Sequence, residues 1–252
     1  MELERFKQEW ESEEAAAQIH GWDFSHIHER YAEEADLPWD YKEIVRSYLN
    51  DSDALLDIDT GGGEFLLSLC HPYTRTSATE EYPPNVELCA RTLLPLGIDF
   101  RGPAGCETLP FADASFDVVI NRHGSYCVQE LYRVLRPGGI FITQQVGEEN
   151  DRELVELLLP GTGKPFPGHN LSEQCKKFSE GGFRIIRAEE AFRPIRFFDI
   201  GALVWFARII EWEFLGFSVA GCLERLALAQ KIVEEKGSVD GTIHRFLIAA
   251  VK

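Results

Sequence analysis

The sequence predicts an α/β protein built on a doubly wound, mostly parallel sheet of seven strands. Short apolar strands alternate with helical segments through residues 54–146, a pattern that places helices on both faces of a parallel sheet. A glycine-rich turn, Gly61–Gly63, follows the first strand directly and leads into a helix. The 252 residues suffice for one such domain with an N-terminal helical segment and a helical cap inserted before the last strand.

The individual elements follow from apolar runs and their flanking turns. We expect strands near residues 54–58, 75–79, 98–101, 116–121, 139–146, 183–191 and 242–251. Helices are expected near residues 63–71, 84–95, 126–135 and 171–179. The loop at residues 160–168 is rich in glycine and proline and is too long for a simple connection, so we predict that it forms a flap.

The segment after the first strand is the most informative part of the chain. The strand at residues 55–58 ends in acids, passes through Gly61–Gly63 and continues into a helical pattern from Phe65. Glycine has no Cβ, so the backbone can turn tightly there and approach a ligand closely. The following helix N-terminus leaves backbone N–H groups for a polar ligand group. The segment therefore predicts a site for a small molecule that contains a nucleoside.

The spacing of this turn distinguishes between two kinds of nucleoside ligand. A dinucleotide-binding fingerprint would place a third small residue at position 66, where the helix packs closely on the strand. That position holds Leu66. NAD and related dinucleotides are therefore disfavoured.

Four segments, in order along residues 54–145, resemble the motifs of the class I S-adenosylmethionine-dependent methyltransferases of the type 11 kind. Residues 57–63 (DIDTGGG) resemble motif I, with Asp59 where the family has its first glycine. Residues 77–80 (SATE) end the second strand in an acid. Residues 109–120 (LPFADASFDVVI) and 135–139 (LRPGG) resemble the motifs at strand four and before strand five.

This resemblance implies the cofactor, the topology and the domain organisation. The cofactor would be S-adenosyl-L-methionine, and the last strand would insert antiparallel between strands five and six. A methyltransferase domain would span residues 51–252, after an N-terminal helical lid segment at residues 1–50. A cap insertion at residues 194–238 would either line the acceptor pocket or form an interface between copies of the chain. Its apolar stripe includes Phe197, Phe198, Trp205, Phe206, Trp212, Phe214 and Phe217.

The N-terminal segment is acidic at first and aromatic later. Residues 36–41 interrupt the helical pattern, and we expect a new helix to start within them at Pro38. The aromatic residues either cover the cofactor or fasten the segment to the sheet, and the sequence leaves both readings open. They are Trp22, Phe24, Tyr31, Trp39 and Tyr41.

The resemblance also implies which residues bind the cofactor. Glu80 would accept both ribose hydroxyls, because an ionised carboxylate can accept two hydrogen bonds at once. The family's acid for the adenine amino group is replaced by Gly105, which moves adenine recognition to Glu107 or to the backbone of Cys106. The full set of expected cofactor-binding residues is Asp57, Asp59, Thr60, Gly61, Gly63, Glu80, Cys106, Glu107 and Asn121.

The residues after strand four are the expected acceptor side of the site. His123 has an ordinary pKa close to neutrality and is a candidate general base. Arg122 and Tyr126 are candidates for orienting the acceptor. The alternative for His123 is a packed histidine with a satisfied hydrogen bond, with transfer driven by proximity alone.

Composition limits the remaining choices. The formal net charge of −17 disfavours nucleic acid, because a phosphate-binding surface needs clustered cations. The six cysteines form no C-x-x-C pair and the histidines show no metal-site spacing, so no metal is expected. The sequence contains no apolar run long enough for a membrane helix and no secretory pattern at its start, which predicts a cytoplasmic protein. As a separate expectation, the protein would be a monomer or a homodimer.

The sequence supports one leading function and two alternatives. The leading one is a methyltransferase that moves a methyl group from S-adenosylmethionine to a small, partly apolar acceptor by in-line displacement. The first alternative is an RNA guanine methyltransferase, although the four-cysteine zinc module of the comparable RNA enzymes is missing. The second is a cofactor-binding protein without turnover.

Overall fold

The computed structural model describes residues 2–18, 24–33 and 36–252. Trp22, one of the predicted lid aromatics, lies outside these residues. The described chain forms an eight-stranded sheet with the order β1-β7-β8-β6-β5-β2-β3-β4. The strands are β1 (Tyr31–Glu33), β2 (Leu55–Ile58), β3 (Thr76–Thr79), β4 (Asp99–Arg101), β5 (Phe116–Arg122), β6 (Leu135–Val146), β7 (Arg184–Phe197) and β8 (Val239–Val251).

Helices connect these strands, and several of them begin at a side-chain cap. Asp40, Asn170, Asp199 and Ser218 each accept a hydrogen bond from a backbone N–H three residues further on, which satisfies a donor left over in the first helical turn. The α-helices are α1 (Glu2–Ala16), α2 (Tyr41–Tyr48), α3 (Glu64–Ser68), α4 (Pro83–Thr92), α5 (Val128–Val134), α6 (Arg152–Leu158), α7 (Leu171–Glu180), α8 (Ile200–Ile209) and α9 (Val219–Lys236).

The topology confirms the doubly wound parallel sheet and the place of the last strand. Strands β2 to β6 pair in parallel, with β2 between β3 and β5. Strand β8 pairs antiparallel with β6 and has β7 as its other neighbour. The last strand therefore lies between the fifth and sixth predicted strands, as the resemblance implied.

The prediction of seven strands is wrong by one, because β1 is an additional strand. It pairs antiparallel with the end of β7, where Tyr31 lies opposite Phe197 with the two rings stacked at 5.9 Å between centroids. A three-residue strand has no periodicity of its own to detect. Its partner lies more than 160 residues away along the chain, so only long-range pairing produces it.

The start of α2 also differs from the prediction. The helix begins at Tyr41 rather than at Pro38, because the Asp40 side chain accepts a hydrogen bond from the Glu43 N–H at 3.0 Å and fixes the first turn. The predicted flap at residues 160–168 is irregular chain, and its movement stays a prediction.

The contacts divide the chain into two compact units. Unit 1 consists of Met1–Leu37, Glu148–Pro167 and Ala191–His244, and unit 2 consists of Pro38–Gly147, Gly168–Glu190 and Arg245–Lys252. This division describes packing alone. The predicted domain boundary between residues 50 and 51 stays a prediction.

Unit 1 is built around the predicted cap insertion, whose apolar stripe forms a hydrophobic core. Helix α1 packs against α8 and α9. Phe197, Trp205, Phe206, Phe214 and Phe217 are buried in one cluster. Most of the stripe is therefore engaged in the core, and its exposed members are Phe198 and Trp212. That the insertion covers an acceptor pocket stays a prediction.

Unit 2 holds the five parallel strands and the glycine-rich turn. Its core cluster includes Leu56 and Ile58 from β2, Val119 from β5 and Phe141 from β6. Most of the buried residues of β2, β5 and β6 are apolar, as expected where helices cover both faces. The carboxyl ends of the strands carry the polar residues described next.

Candidate functional site

The loop between β2 and α3 is held in its shape by hydrogen bonds within unit 2. Thr60 donates through its hydroxyl to Asp57 Oδ2 at 2.6 Å, and its backbone N–H donates to the Thr79 carbonyl at 3.0 Å. Gly61 and Gly63 have φ angles of 64° and 85°, a region that glycine adopts without strain. The predicted tight turn is therefore present, and it is tied to the neighbouring strand β3.

Glu80, which follows β3, is the residue around which this loop is organised. Its Oε2 accepts the Gly61 N–H at 2.7 Å, and its Oε1 accepts the N–H groups of Glu81 and Tyr82 at 2.9 Å each. The side chain is buried, with 1% of the residue exposed. Glu80 thus fixes the backbone of the glycine turn. Its predicted contact with ribose hydroxyls stays a prediction.

Two further acids give this edge of the sheet a strong negative character. Desolvation, together with the negative charges of Asp59 and Glu80, raises the pKa of Asp57 to about 7, although the hydrogen bond from Thr60 lowers it. Desolvation and the neighbouring Glu80 also raise the pKa of Asp59. Neighbouring carboxyl groups resist ionisation because their negative charges would repel each other. A positive charge placed between them stabilises the ionised forms. The site therefore suits a cationic ligand group.

Asp59, the departure from motif I, is accommodated by a glycine in the bend that follows β5. It has a φ angle of 59°, which aspartate tolerates better than most residues. A Cβ atom at Gly124 would lie 2.4 Å from Asp59 Oδ2. The absence of a side chain at position 124 therefore makes room for the Asp59 carboxylate.

The region expected to recognise adenine lies next to the side chain of Glu81. A Cβ atom at Gly105 would lie 2.9 Å from Glu81 Oε2, so the Glu81 carboxylate lies over the backbone of Gly105. Cys106 is half-buried, and desolvation followed by the charge of Glu107 raises the pKa of its thiol. Glu107 itself is exposed. The sequence did not single out Glu81 for this position.

Asn121 ends the buried part of β5 and connects three strands. Its Nδ2 donates to the Ile58 carbonyl at 2.9 Å, and its Oδ1 accepts from Gln145 Nε2 at 2.6 Å and from the Thr143 hydroxyl at 3.3 Å. The residue is fully buried. Its amide thus holds the strand ends together, and contact with a cofactor stays a prediction.

His123 follows at the end of β5 and is engaged by Gln144 of β6. Its Nε2 lies 3.1 Å from Gln144 Nε2, and its backbone N–H donates to the Gln144 carbonyl at 2.9 Å. Desolvation, followed by the positive charges of Arg245 and Arg122, lowers the pKa of His123 to about 3. The residue also keeps an exposed surface. A weakly basic ring does not favour the predicted general base.

The other two predicted catalytic residues have different surroundings. Arg122 is exposed, and its guanidinium lies 5.5 Å from the centre of the Phe65 ring. Tyr126 packs its ring against Phe141 and Phe178 and donates its hydroxyl to Gln174 at 3.1 Å. Desolvation raises the pKa of Tyr126. Tyr126 therefore faces the core of unit 2, and Arg122 is exposed at the end of β5. That these two residues orient an acceptor stays a prediction.

Several polar residues at this edge were not predicted from the sequence. Gln144 accepts the indole N–H of Trp39 at 2.8 Å, and Gln145 Oε1 lies 3.3 Å from His169 Nε2. The Tyr41 hydroxyl donates to the Asn121 carbonyl at 3.0 Å. The consecutive glutamines after an apolar strand were a detectable signal. Their partners lie far away in the sequence and were not detectable.

The contacts of Trp39 and Tyr41 show that these side chains are attached to the sheet, and a role of the N-terminal aromatic residues in covering a cofactor stays a prediction. Both side chains are buried and fasten the start of α2 to β5 and β6.

Among the described residues, no group of acids, histidines and cysteines could hold a metal ion. The same residues contain no helix that is long and apolar enough to cross a membrane.

Comparison with known proteins matches part of the chain to methyltransferases. Residues 56–143 match the family described as Methyltransferase domain. A phthiotriol/phenolphthiotriol dimycocerosates methyltransferase of Mycobacterium tuberculosis (strain ATCC 25177 / H37Ra) is 40% identical over 110 residues, which is 40% of this chain and 40% of that protein. The chain thus spans about 40% of the length of this curated relative.

Solved structures agree with the fold. A candidate methyltransferase from Bacillus halodurans C-125 is similar with a TM-score of 0.60, at 17% identity, over 84% of this chain and 98% of that one. The [4+2]-cyclase SpnF is similar with a TM-score of 0.50, at 17% identity, over 84% and 79% of the two chains. Residues 56–143 thus match the family described as Methyltransferase domain, and the fold of the chain is shared with solved structures that include a candidate methyltransferase.

Proposed function

We propose that the protein transfers a methyl group from S-adenosylmethionine to a small, largely apolar acceptor. The observation that carries this proposal is the arrangement at the carboxyl ends of β2, β3 and β5. There, Asp57, Glu80 and Asn121 are buried side by side next to the glycine turn. Ligands of open α/β sheets bind at this edge, outside the carboxyl ends of the strands.

The residues present fit this cofactor in shape and in charge. A Cβ atom at Gly61 would meet no other atom within 4 Å among the described residues, so the backbone there borders open space. The pKa of the Asp57 carboxyl is raised by burial and by neighbouring acids, which means that a positive charge nearby would stabilise its ionised form. S-adenosylmethionine carries positive charge on its sulfur and on its amino group.

The chain's own residues have two tasks in the proposed reaction. Bound S-adenosylmethionine would supply an electrophilic methyl group with a neutral thioether as the leaving group. Glu80 holds the glycine turn in its ligand-binding shape through the Gly61 N–H. Arg122 and His123, both exposed at the end of β5, would orient the acceptor. Orientation and exclusion of water supply most of the catalysis that such a displacement needs.

The class of acceptor follows from charge and from the relatives. A net charge of −17 opposes a polyanionic substrate. The similar proteins of mycobacteria are named for phthiotriol and phenolphthiotriol dimycocerosates, names that contain a triol and a phenol. We therefore propose an acceptor with hydroxyl groups on an apolar body.

Calorimetry and a transfer assay on the full chain test this function. We expect binding of S-adenosylmethionine and S-adenosylhomocysteine, and weaker binding of NAD. Incubation with S-adenosylmethionine labelled in the methyl group should label apolar phenols and diols, but not an RNA transcript. Failure of the folded protein to bind S-adenosylmethionine would contradict the proposal, and labelling of RNA would favour the first alternative.

A second candidate is a cofactor-binding protein that does not methylate. The specific observation in its favour is that both oxygens of Glu80 already accept backbone hydrogen bonds. The fold also occurs in a protein named as a [4+2]-cyclase, and a fold does not fix a reaction. Tight binding of S-adenosylmethionine without label transfer to any acceptor would support this candidate.

A further inference from the structure

A chain of three side chains in unit 2 determines where His123 carries its proton. Trp39 donates its indole N–H to Gln144 Oε1 at 2.8 Å. An indole nitrogen can only donate, so the amide oxygen of Gln144 must be the atom that faces it. The amide nitrogen of Gln144 then faces His123 Nε2 at 3.1 Å. Since an amide nitrogen can only donate, His123 Nε2 is the acceptor.

The acceptor role of Nε2 places the ring proton on Nδ1. A neutral imidazole has one nitrogen that donates and one that accepts. Protonation of Nε2 would set two N–H groups against each other at hydrogen-bonding distance. Gln144 cannot rotate to relieve this contact without losing its bond to Trp39. The arrangement therefore opposes both the Nε2–H tautomer and the imidazolium form.

The surroundings keep this relay rigid. Trp39 and Gln144 are buried, with 7% and 4% of each residue exposed. The helix that follows Trp39 is anchored by the Tyr41 hydroxyl, which donates to the carbonyls of Asn121 and Ile142 at 3.0 and 3.1 Å. His123 itself is exposed and has a φ angle of 62°. A fixed partner thus holds one nitrogen of the His123 ring.

We infer that Trp39, acting through Gln144, holds His123 as the neutral Nδ1–H tautomer, so that His123 donates a hydrogen bond to an acceptor oxygen instead of removing a proton. The second half of this inference rests on the proposed function, whereas the tautomer itself does not. Trp39 and Gln144 are positioning residues in this scheme. The charged groups that act on His123 are Arg245 and Arg122, and both oppose its protonation.

The tautomer can be measured directly in the full-length protein. Long-range proton–nitrogen NMR correlation on histidine labelled with ¹⁵N distinguishes a protonated ring nitrogen from an unprotonated one. For His123 we expect Nε2 to be unprotonated and Nδ1 to be protonated at pH 7. An Nε2–H tautomer in the wild-type protein would overturn the inference.

Two substitutions test the role of the relay. Gln144→Glu replaces the donor to His123 with acceptor oxygens, so the proton should move to Nε2 and the pKa of His123 should rise. Trp39→Phe removes the donor that fixes Gln144, so both tautomers should appear. Gln129→Glu, on the exposed surface of α5, is the matched control and should leave the His123 signals unchanged. An unchanged tautomer in a folded Gln144→Glu variant would contradict the relay.

The function of the ring is tested by substitution and by pH dependence. Asparagine tolerates positive φ angles and keeps a donor, so His123→Asn should reduce kcat/KM by no more than about tenfold, whereas His123→Ala should reduce it by about 10–100-fold. A general base would lose about 10²–10⁴-fold in both variants and would give the wild-type rate a pH limb that both variants lack. That result would reject the donor role. Absence of S-adenosylmethionine binding by the wild type would instead reject the proposed function, while leaving the NMR result valid.

Discussion

The carboxylate of Asp59 occupies the space that a side chain at position 124 would need. An added Cβ at Gly124 would lie 2.4 Å from Asp59 Oδ2 and 2.6 Å from Asp59 Cβ. Real Cβ atoms do not approach other atoms so closely, because interiors are close-packed. The unusual acid in the first motif and the glycine after β5 therefore depend on each other.

This dependence predicts the effect of Gly124→Ala. The added methyl should displace Asp59 and destabilise the fold by about 1–3 kcal/mol, the range for overpacking of a well-packed site. Adding Asp59→Gly should restore most of the lost free energy of unfolding. Denaturation in urea measures both variants. Gly163→Ala is a suitable control, because a Cβ there would meet no atom within 4 Å among the described residues. Equal stability of Gly124→Ala and Gly163→Ala would show that Asp59 has room to move.

Glu80 is predicted to control cofactor affinity through the loop. Glu80→Ala leaves the Gly61, Glu81 and Tyr82 N–H groups without their acceptor, so S-adenosylmethionine should bind more weakly by about 1.5–3 kcal/mol. Calorimetry measures this difference. Glu87→Ala, at an exposed acid of α4, should bind like the wild type. An unchanged dissociation constant in a folded Glu80→Ala protein would mean that the loop does not shape the site.

The pKa of Asp57, raised to about 7 by desolvation and neighbouring acids, predicts how stability depends on pH. An aspartate in the unfolded chain titrates near 3.9, so the folded state binds this proton more tightly. Ionisation of Asp57 should therefore destabilise the fold progressively as the pH rises from about 4 to 7, by about 2–4 kcal/mol.

Asp57→Asn removes this ionisation. The variant should gain stability relative to the wild type as the pH rises, whereas Asp51→Asn, at an exposed acid, should follow the wild type. Urea denaturation between pH 4 and 8 measures the difference. Parallel pH profiles for wild type and Asp57→Asn would show that the carboxyl is not desolvated in solution.

Since a cationic ligand favours the ionised form of Asp57, the wild type should also bind S-adenosylmethionine more tightly at pH 8 than at pH 6.

Unit 1 contains an ion pair whose contribution should disappear in acid. Arg30 donates to both oxygens of Asp199 at 2.8 and 2.7 Å, and to Glu13 at 2.8 Å. Desolvation raises the pKa of Asp199, but the hydrogen bonds from Arg30 and from the Ala202 N–H outweigh it, so the pKa is lowered overall. Because the folded pKa is depressed, the stabilisation is present above the unfolded value and is lost as the pH falls below about 4.

Arg30→Gln should therefore destabilise the protein by about 1–2 kcal/mol at pH 7, a value reduced by the partial exposure of the pair. The difference from the wild type should shrink as the pH falls toward 3. Glu11→Gln, which removes an exposed pair with Lys7, should have little effect at either pH. A difference for Arg30→Gln that is independent of pH would assign its effect to lost packing instead of charge.

The sequence by itself determined the parallel sheet, the glycine turn and the position of the last strand. Apolar runs such as Leu55–Ile58 and Phe116–Arg122 are local signals for strands. Three consecutive glycines, Gly61–Gly63, are a local signal for a tight turn. The strand alternation and the glycine turn depend on neighbouring residues, so local patterns were sufficient to predict them. The position of the last strand was implied only by the resemblance to the family.

Tertiary structure alone decided what the polar side chains do. Gln144 contacts Trp39, which is 105 positions away in the sequence, and its amide nitrogen lies 3.1 Å from His123 Nε2. Tyr126 is engaged by the core, and the aromatic stripe of residues 197–217 largely forms a core of its own. A hydrogen bond or a packing contact depends on which groups meet in space. Periodicity and spacing along the chain contain no information about which distant side chains come into contact.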